Sequence, residues 1–316
     1  MEDRSDIAFH HAPVLLRQTI EALRPLAGGV YIDGTLGGAG HASALLAAAP
    51  DSFLLGIDRD EDALAAAARV LAAYPGRFIL RHDTFSHMRD AAVAAGIEAA
   101  DGILLDLGVS SYQIDTAERG FSYRNDAPLD MRMDRGQGVT AADIVNTYTP
   151  EQLCRILFDY GEEKWAKRIV RFIVEGRANE PFVSTGQLAT AVKQAIPVGA
   201  REKDQHPARR TFQALRIAVN GELDELKQGL AQAVELLRPQ GRLAVITFHS
   251  LEDRIVKDTF REYATDCLCP KELPVCVCGH KASVKQINRK PIVAEAEELA
   301  DNPRAHSAKL RIAEKL

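Results

Sequence analysis

The run Val30-Tyr31-Ile32-Asp33-Gly34-Thr35-Leu36-Gly37-Gly38-Ala39-Gly40-His41 constrains this chain more than any other. An apolar strand leads through a bend too tight for side chains into a helical segment, Ala42 to Ala49. That combination makes a backbone cradle for a nucleotide-like ligand. The spacing narrows the choice of ligand. A dinucleotide fingerprint needs Gly-x-Gly-x-x-Gly, whereas Gly38-Ala39-Gly40 is followed by Ala42 and Ser43, with no third glycine. Asp33, just before the bend, would repel a phosphate but can take up the ammonium of an amino-acid moiety, which S-adenosylmethionine carries. Taken alone, the glycines are equally compatible with an ordinary strand-turn-helix connection.

The next strand adds weight. Phe53-Leu54-Leu55-Gly56-Ile57-Asp58 is an apolar run ending in an acid about twenty residues past the glycines, where a carboxylate can accept from both ribose hydroxyls. Asp58 is therefore the expected ribose ligand, and Asp60, just before the Ala-rich stretch Ala63 to Ala73, the expected helix N-cap.

Strands and helices alternate through the first hundred residues, with further strands expected over Arg77 to Arg81 and Gly102 to Asp106. From about Arg119 to Arg216 the pattern becomes helical: Pro150 opens one helix, Glu162 to Glu175 form a charged amphipathic stretch, and Thr185 to Ala195 form another. Alternation resumes with a helix over Gly221 to Leu237 and strands over Gly241 to Phe248, Val284 to Ile287 and Ala308 to Ala313. The economical reading is a doubly wound α/β domain, residues 1–118 and 217–316, interrupted by an all-helical insertion over 119–216. In such sheets the ligand sits beyond the carboxyl ends of the strands. That rule singles out His82-Asp83-Thr84-Phe85 after the third strand, offering an acceptor for an adenine amine and a ring for the purine, then Asp106, Ser110 and Gln113 after the fourth strand, and His249 after the fifth.

Composition sets wider bounds. The 316 residues, 46% of them hydrophobic, can bury a sizeable core. No apolar window is long enough to cross a membrane, and Met1-Glu2-Asp3-Arg4 does not read as a signal peptide, so a cytoplasmic protein is expected. The net charge of -5 argues against a general nucleic-acid coat, but its distribution is uneven. Arg119 to Arg216 hold 16 Lys plus Arg against 12 Asp plus Glu, so the middle of the chain is the part that suits an anion.

Several long motifs carry a family resemblance: His11-Ala12-Pro13-Val14-Leu15-Leu16, the Asp33 to His41 loop, Asp101 to Ser111, Glu118-Arg119-Gly120-Phe121-Ser122, Pro128 to Asp134, Tyr160-Gly161-Glu162-Glu163, His206 to Arg216 and Phe248 to Arg254. In this order, and along nearly the whole chain, they resemble the bacterial small-subunit ribosomal RNA cytosine-N4 methyltransferases, the MraW or RsmH family. The resemblance implies a class I, Rossmann-like methyltransferase sheet with an inserted helical substrate-recognition domain. It implies methylation of the exocyclic amine of a cytosine in the decoding region of 16S ribosomal RNA, with S-adenosylmethionine as cofactor. Carried over by position, the cofactor contacts fall on Ala39, Gly40, His41, Asp58, Phe85, Asp106 and Gln113. The expected partner is the small ribosomal subunit or its RNA, rather than DNA or a membrane. One departure affects the catalytic assignment. Many amino-methyltransferases place Ser or Asp, two prolines and an aromatic after the fourth strand, where this chain reads Asp106-Leu107-Gly108-Val109.

The chemistry asks for acceptors that hold a weakly nucleophilic amine in line with a methyl donor and remove its proton. Asp106, Ser110 and Asp130 are the positioning candidates and His249 the candidate proton acceptor, with a structural hydrogen bond or cap as the plainer role for Asp130 and His249. RNA phosphates call for cations, and Arg209 and Arg210, with Arg201, Lys203 and Arg216 nearby, are the expected substrate contacts. Lys164, Lys167, Arg168 and Arg171 read instead as an exposed helix face, with Trp165 in the core. Cys154 reads as a buried helical thiol. Cys267-Leu268-Cys269 and Cys276-Val277-Cys278, set around two prolines, leave open a zinc knuckle, free thiols or a labile disulfide. Two other readings stand beside the methyltransferase. An NAD-dependent oxidoreductase on a similar sheet is disfavoured by the missing glycine, and a non-catalytic RNA-binding assembly protein by the intact cofactor positions.

Overall fold

A computed structural model describes residues 13–203, 205–270, 273 and 275–316. The Met1-Glu2-Asp3-Arg4 start, His11-Ala12 of the first motif, and Pro274, one of the two prolines among the cysteines, lie outside them. The described chain divides into two compact units, Val109–Glu222 and the segments that precede and follow it.

The flanking unit is built on seven strands: β1 (Val30–Asp33), β2 (Phe53–Asp58), β3 (Phe78–His82), β4 (Ala100–Asp106), β5 (Leu237–Thr247), β6 (Val284–Gln286) and β7 (Lys309–Lys315). They lie in the order β3-β2-β1-β4-β5-β7-β6. The first five are parallel, and β7 inserts antiparallel between β5 and β6. This is the class I methyltransferase sheet. Its strands read as nearly continuous apolar runs because both faces are covered. Successive residues go to opposite sides. Ile32, Leu55, Leu105 and Val245 enter one core with Met88, Leu230 and Phe260. Their neighbours Tyr31, Leu54, Leu104 and Ala244 enter the other with Leu46, Leu71 and Leu310.

Helices α1 (Leu16–Leu23), α2 (Gly40–Ala48), α3 (Glu61–Leu71) and α4 (Met88–Ala94) follow in the first half of this unit. The strand expected over Arg77 to Arg81 is β3, shifted by one residue, and Asp60 caps α3 by accepting from the Asp62 N–H at 3.1 Å.

The second unit contains α5 (Ser111–Asp115), α6 (Ala141–Thr147), α7 (Pro150–Asp159), α8 (Ala166–Asn179), α9 (Thr185–Ala195) and α10 (Arg209–Asn220). Four of these helices, α5, α6, α7 and α9, open with capping boxes, in which a Ser or Thr side chain and the residue three further on satisfy each other's backbone N–H. Their apolar faces meet in one core that includes Met131, Ile144, Leu153, Ile169, Leu188 and Phe212. The unit begins before Arg119 because that residue belongs inside it. Arg119 is buried and donates to the Arg132 carbonyl at 3.1 Å and the Met133 carbonyl at 2.8 Å. At the other end, α10 stops at Gly221, which takes a left-handed φ of 63° that favours glycine.

Two sequence expectations need correction. The amphipathic stretch does not start its helix at Glu162. Glu162 is in a left-handed turn at φ 46°, and Glu163 accepts from the Trp165 N–H at 2.8 Å, so α8 starts at Ala166. The fifth strand starts at Leu237, and its pairing with β4 jumps from Ala100↔Leu237 to Gly102↔Arg242, with Gln240 at φ 68° in the gap. A bulge of this kind is invisible to period-2 reading.

The chain continues through α11 (Glu222–Leu236), α12 (Ser250–Tyr263) and α13 (Ala296–Asp301). No described helix is long and apolar enough to cross a membrane.

Candidate cofactor and catalytic site

Four parallel strands end in or beside polar side chains that converge on one edge of the sheet. Asp33 closes β1, Asp58 closes β2, Asp83 and Phe85 follow β3, and Asp106 closes β4. The bend after β1 is held by the neighbouring strands: the Gly34 N–H donates to the Leu104 carbonyl and the Leu36 N–H to the Ile57 carbonyl, both at 3.0 Å. Ala39 then adopts a left-handed φ of 61° and stands at the N-cap of α2 with no side-chain cap, so the first N–H groups of that helix are not closed by a side chain there. Gly40 is required by close approach. A Cβ there would lie 2.3 Å from Cγ of Pro13.

The carboxylates are tied to this bend. Asp58 Oδ2 accepts from the Gly37 N–H at 2.7 Å and Oδ1 from the Asp60 N–H at 2.9 Å. Asp33 Oδ1 accepts from the Thr35 N–H at 3.1 Å. Thr35 also bridges strands, because its hydroxyl oxygen accepts from the Asp106 N–H at 2.5 Å. Sequence reasoning passed over Thr35. The only signal was a hydroxyl residue two positions beyond the acid that ends β1.

Burial shapes the charge state of the cluster. It pushes Asp33 up to about 7, against the Thr35 N–H, with the Asp58 charge adding to the rise. Burial likewise pushes Asp58 up to about 6, opposed by the Asp60 and Gly37 N–H groups. Asp106 is raised well above the ordinary carboxylate range by burial, then by Asp33 and Glu252. Its Oδ1 is buried without a hydrogen-bond partner. An acid cluster short of cations, with one orphaned oxygen, fits a ligand that brings positive charge and N–H groups. It does not fit a pyrophosphate.

His41, in the first turn of α2, is buried. Its Nε2 lies 3.0 Å from the Val14 carbonyl, and its Nδ1 lies 3.6 Å from Asp106 Oδ2. Burial lowers it to about 4, so the ring is neutral near pH 7. Phe85 sits on a 3-10 turn over Phe85–His87 and packs against Gly229 of α11, where any Cβ would lie 2.3 Å from its ring. No sequence signal linked Gly229 to this ring. In the helical unit, Gln113 is buried in the capping box of α5, with its Oε1 accepting from the Ser110 N–H at 3.0 Å.

The proposed catalytic residues are firmly engaged. For Asp130, burial alone would raise the carboxyl. The Arg132 guanidinium, donating at 2.8 and 3.0 Å, and the Arg132 N–H at 3.0 Å overcome that and hold it below the usual range. His249 is the N-cap of α12. Its Nδ1 accepts from the Glu252 N–H at 3.4 Å and its Nε2 lies 3.0 Å from Glu252 Oε1, while the same carboxylate accepts from the Phe248 N–H at 2.7 Å. Both residues therefore also have the structural role that their sequence positions allowed.

The cationic residues separate. Lys167, Arg168 and Arg171 line the exposed face of α8, Lys164 is exposed in the turn before it, and Trp165 is partly buried against the helical core. Arg201 donates to the Ile196 and Lys193 carbonyls, Arg210 pairs with Glu202 at 2.7 Å, and Arg216 forms a two-pronged pair with Glu222 at 2.8 and 2.7 Å. Arg209 is exposed and, among the described residues, its side chain donates to the neutral side chain of Gln205 at 2.6 Å.

A family model described as the MraW methylase family matches residues 8–316 of the chain. Three similar relatives carry the name ribosomal RNA small subunit methyltransferase H. That of Symbiobacterium thermophilum is 54% identical over 311 residues, covering 98% of each chain. That of Geobacter sp. strain M21 is 54% identical over 309 residues, covering 98% of this chain and 99% of the relative. That of Geobacter sulfurreducens is 55% identical over 311 residues, covering 98% and 100%.

Proposed function

The chain belongs to the MraW methylase family, and from that premise we propose that it transfers a methyl group from S-adenosylmethionine to the N4 amine of a cytosine in 16S ribosomal RNA. The observation that carries the cofactor assignment is the buried acid cluster at the strand ends, with the unpartnered Oδ1 of Asp106. Bound there, S-adenosylmethionine supplies an electrophilic methyl on a sulfonium. Asp33 would face the ammonium, Asp58 would take the ribose hydroxyls, and the unpartnered Oδ1 of Asp106 would accept from an N–H of the ligand. Phe85 covers the purine. The Ala39-Gly40-His41 turn offers backbone to the amino-acid end.

The cytosine amine has its lone pair delocalised into the ring, so the protein's task is alignment first and proton removal second. Asp130, kept ionised by Arg132, is suited to accept from the amine rather than to act as a base poised near pH 7. His249 can take the proton only by giving up one of its contacts with Glu252, whose buried carboxylate would then stabilise the imidazolium. The helical unit supplies RNA recognition, with Arg209, which pairs with no described acid, the candidate for a phosphate. The reaction takes place in the cytoplasm on the small subunit or its RNA.

The direct test is incubation with methyl-labelled S-adenosylmethionine and small subunits from cells lacking this activity, followed by nucleoside analysis. Label is expected in N4-methylcytidine. Label at a ring carbon of cytosine, or none in RNA, would remove the assignment.

A further inference from the structure

Between the end of α12 at Tyr263 and the start of β6 at Val284 the described chain forms no helix or strand. Nor does the segment bring a core of its own, since Leu268, Leu273, Val275 and Val277 are all exposed. Its base is fastened to α12, with the Ser283 N–H donating to the Tyr263 carbonyl at 2.8 Å and His280 Nε2 3.1 Å from the Glu262 carbonyl. Among the described residues no apolar packing fastens its outer part. A connection of this length inside a compact domain normally requires some other staple.

Four cysteines sit in that outer part. The Sγ atoms of Cys267, Cys269, Cys276 and Cys278 all lie within 4.8 Å of one another. Cys267 and Cys276 are 3.4 Å apart, Cys276 and Cys278 3.6 Å, and Cys278 and Cys267 3.8 Å. Four thiolates bound to zinc at about 2.3 Å stand at the corners of a tetrahedron whose edges are about 3.8 Å. All four cysteines are free, and none of these sulfur pairs is at bonding distance. The loop backbone also turns toward the sulfurs: the Leu268 N–H donates to Cys278 Sγ and the Val277 N–H to Cys269 Sγ, each at 3.4 Å. Each Cys-x-Cys arm thus donates into the other arm, the outer-shell arrangement that orients ligands around a metal.

We propose that Cys267, Cys269, Cys276 and Cys278 bind one structural zinc ion that pins the loop between α12 and β6. A closed set of four thiolates leaves no open coordination position, so the ion is structural and takes no part in methyl transfer. Zinc fits better than calcium or magnesium, which want oxygen ligands, and the site needs no redox partner.

The test uses the full chain purified under reducing conditions without added chelator. Elemental analysis is expected to find about one zinc per chain and negligible iron. Replacement by cobalt(II) is expected to give the intense visible bands and near-ultraviolet thiolate charge-transfer band of a four-coordinate thiolate site. Both signals are expected to vanish in a variant with all four cysteines changed to Ser and to persist in Cys154→Ser. The cobalt spectrum of the unmodified chain keeps the test valid if the fourfold variant does not fold. Protein that carries no zinc and shows no thiolate spectrum with cobalt, iron in place of zinc, or zinc retained by a folded fourfold variant would each overturn the proposal.

Discussion

Asp58 holds the bend at Gly37 and the start of α3 through two different oxygens, so its loss should be felt in both binding and local order. Asp58→Ala is expected to weaken S-adenosylmethionine binding by about 1–3 kcal/mol, the cost of truncating one partner of a buried charge-assisted bond. Calorimetry measures it, and an unchanged dissociation constant in a folded variant would take Asp58 out of the site. The raised carboxyls make a second prediction. A cationic ligand prefers them ionised, so binding below their pKa values must expel protons. Because Asp58 titrates near 6 and Asp33 near 7, affinity should climb from roughly pH 5.5 and level off by about pH 8. His41, lowered to about 4, stays neutral throughout that window and does not offset the trend. Titration calorimetry in buffers of different ionisation enthalpy should report net proton release near pH 6. In the unliganded protein the same two acids work the other way. Folded-state values above the unfolded ones give stability that is present at low pH and lost as pH rises through about 6 to 7. Sequence reading reached Asp33, Asp58 and Asp106 because each ends an apolar strand. It did not reach Thr35, whose role lies in a bond to a residue 71 positions away.

At the scale of elements, what was legible is what repeats locally. Apolar runs with both faces buried marked β1 to β4 within a residue or two, and the helix starts read at Pro150 and Thr185 are those of α7 and α9. What stayed hidden depends on partners far along the chain. Gly229 lies mid-helix in α11, where glycine costs stability relative to alanine unless something needs the space. The Phe85 ring occupies that space. Gly229→Ala should therefore destabilise the protein by about 1–3 kcal/mol despite its better helix propensity, and should also weaken S-adenosylmethionine binding by displacing Phe85. Thermal melting with and without ligand separates the two effects. A more stable variant with normal affinity would show that the ring yields freely. On α10, the pairing of Arg210 with Glu202 leaves Arg209 as the better single probe. Arg209→Glu should slow RNA methylation, leave S-adenosylmethionine affinity unchanged, and lower the slope of log RNA affinity against log salt by about 0.7. An unaltered slope and rate would assign Arg209 to the surface alone.

For the molecule as a whole, the division into a sheet unit and a helical unit predicts separable functions. A chain in which residues 109–222 are replaced by a short flexible linker should bind S-adenosylmethionine measurably and fail to methylate RNA. Near-ultraviolet circular dichroism would establish that the shortened chain is folded, and methylation by that chain would refute the division of labour. The same arrangement bears on the order in which the protein is made. β4 and β5 are hydrogen-bonded neighbours, yet the entire helical unit is translated between them. Helices capped by their own first turns can assemble while the chain is still emerging, whereas the sheet waits for a strand encoded far downstream. On the ribosome the strand ends that carry the nucleotide site thus emerge first, but the sheet that holds them is closed by β5 only after the whole helical unit has been made.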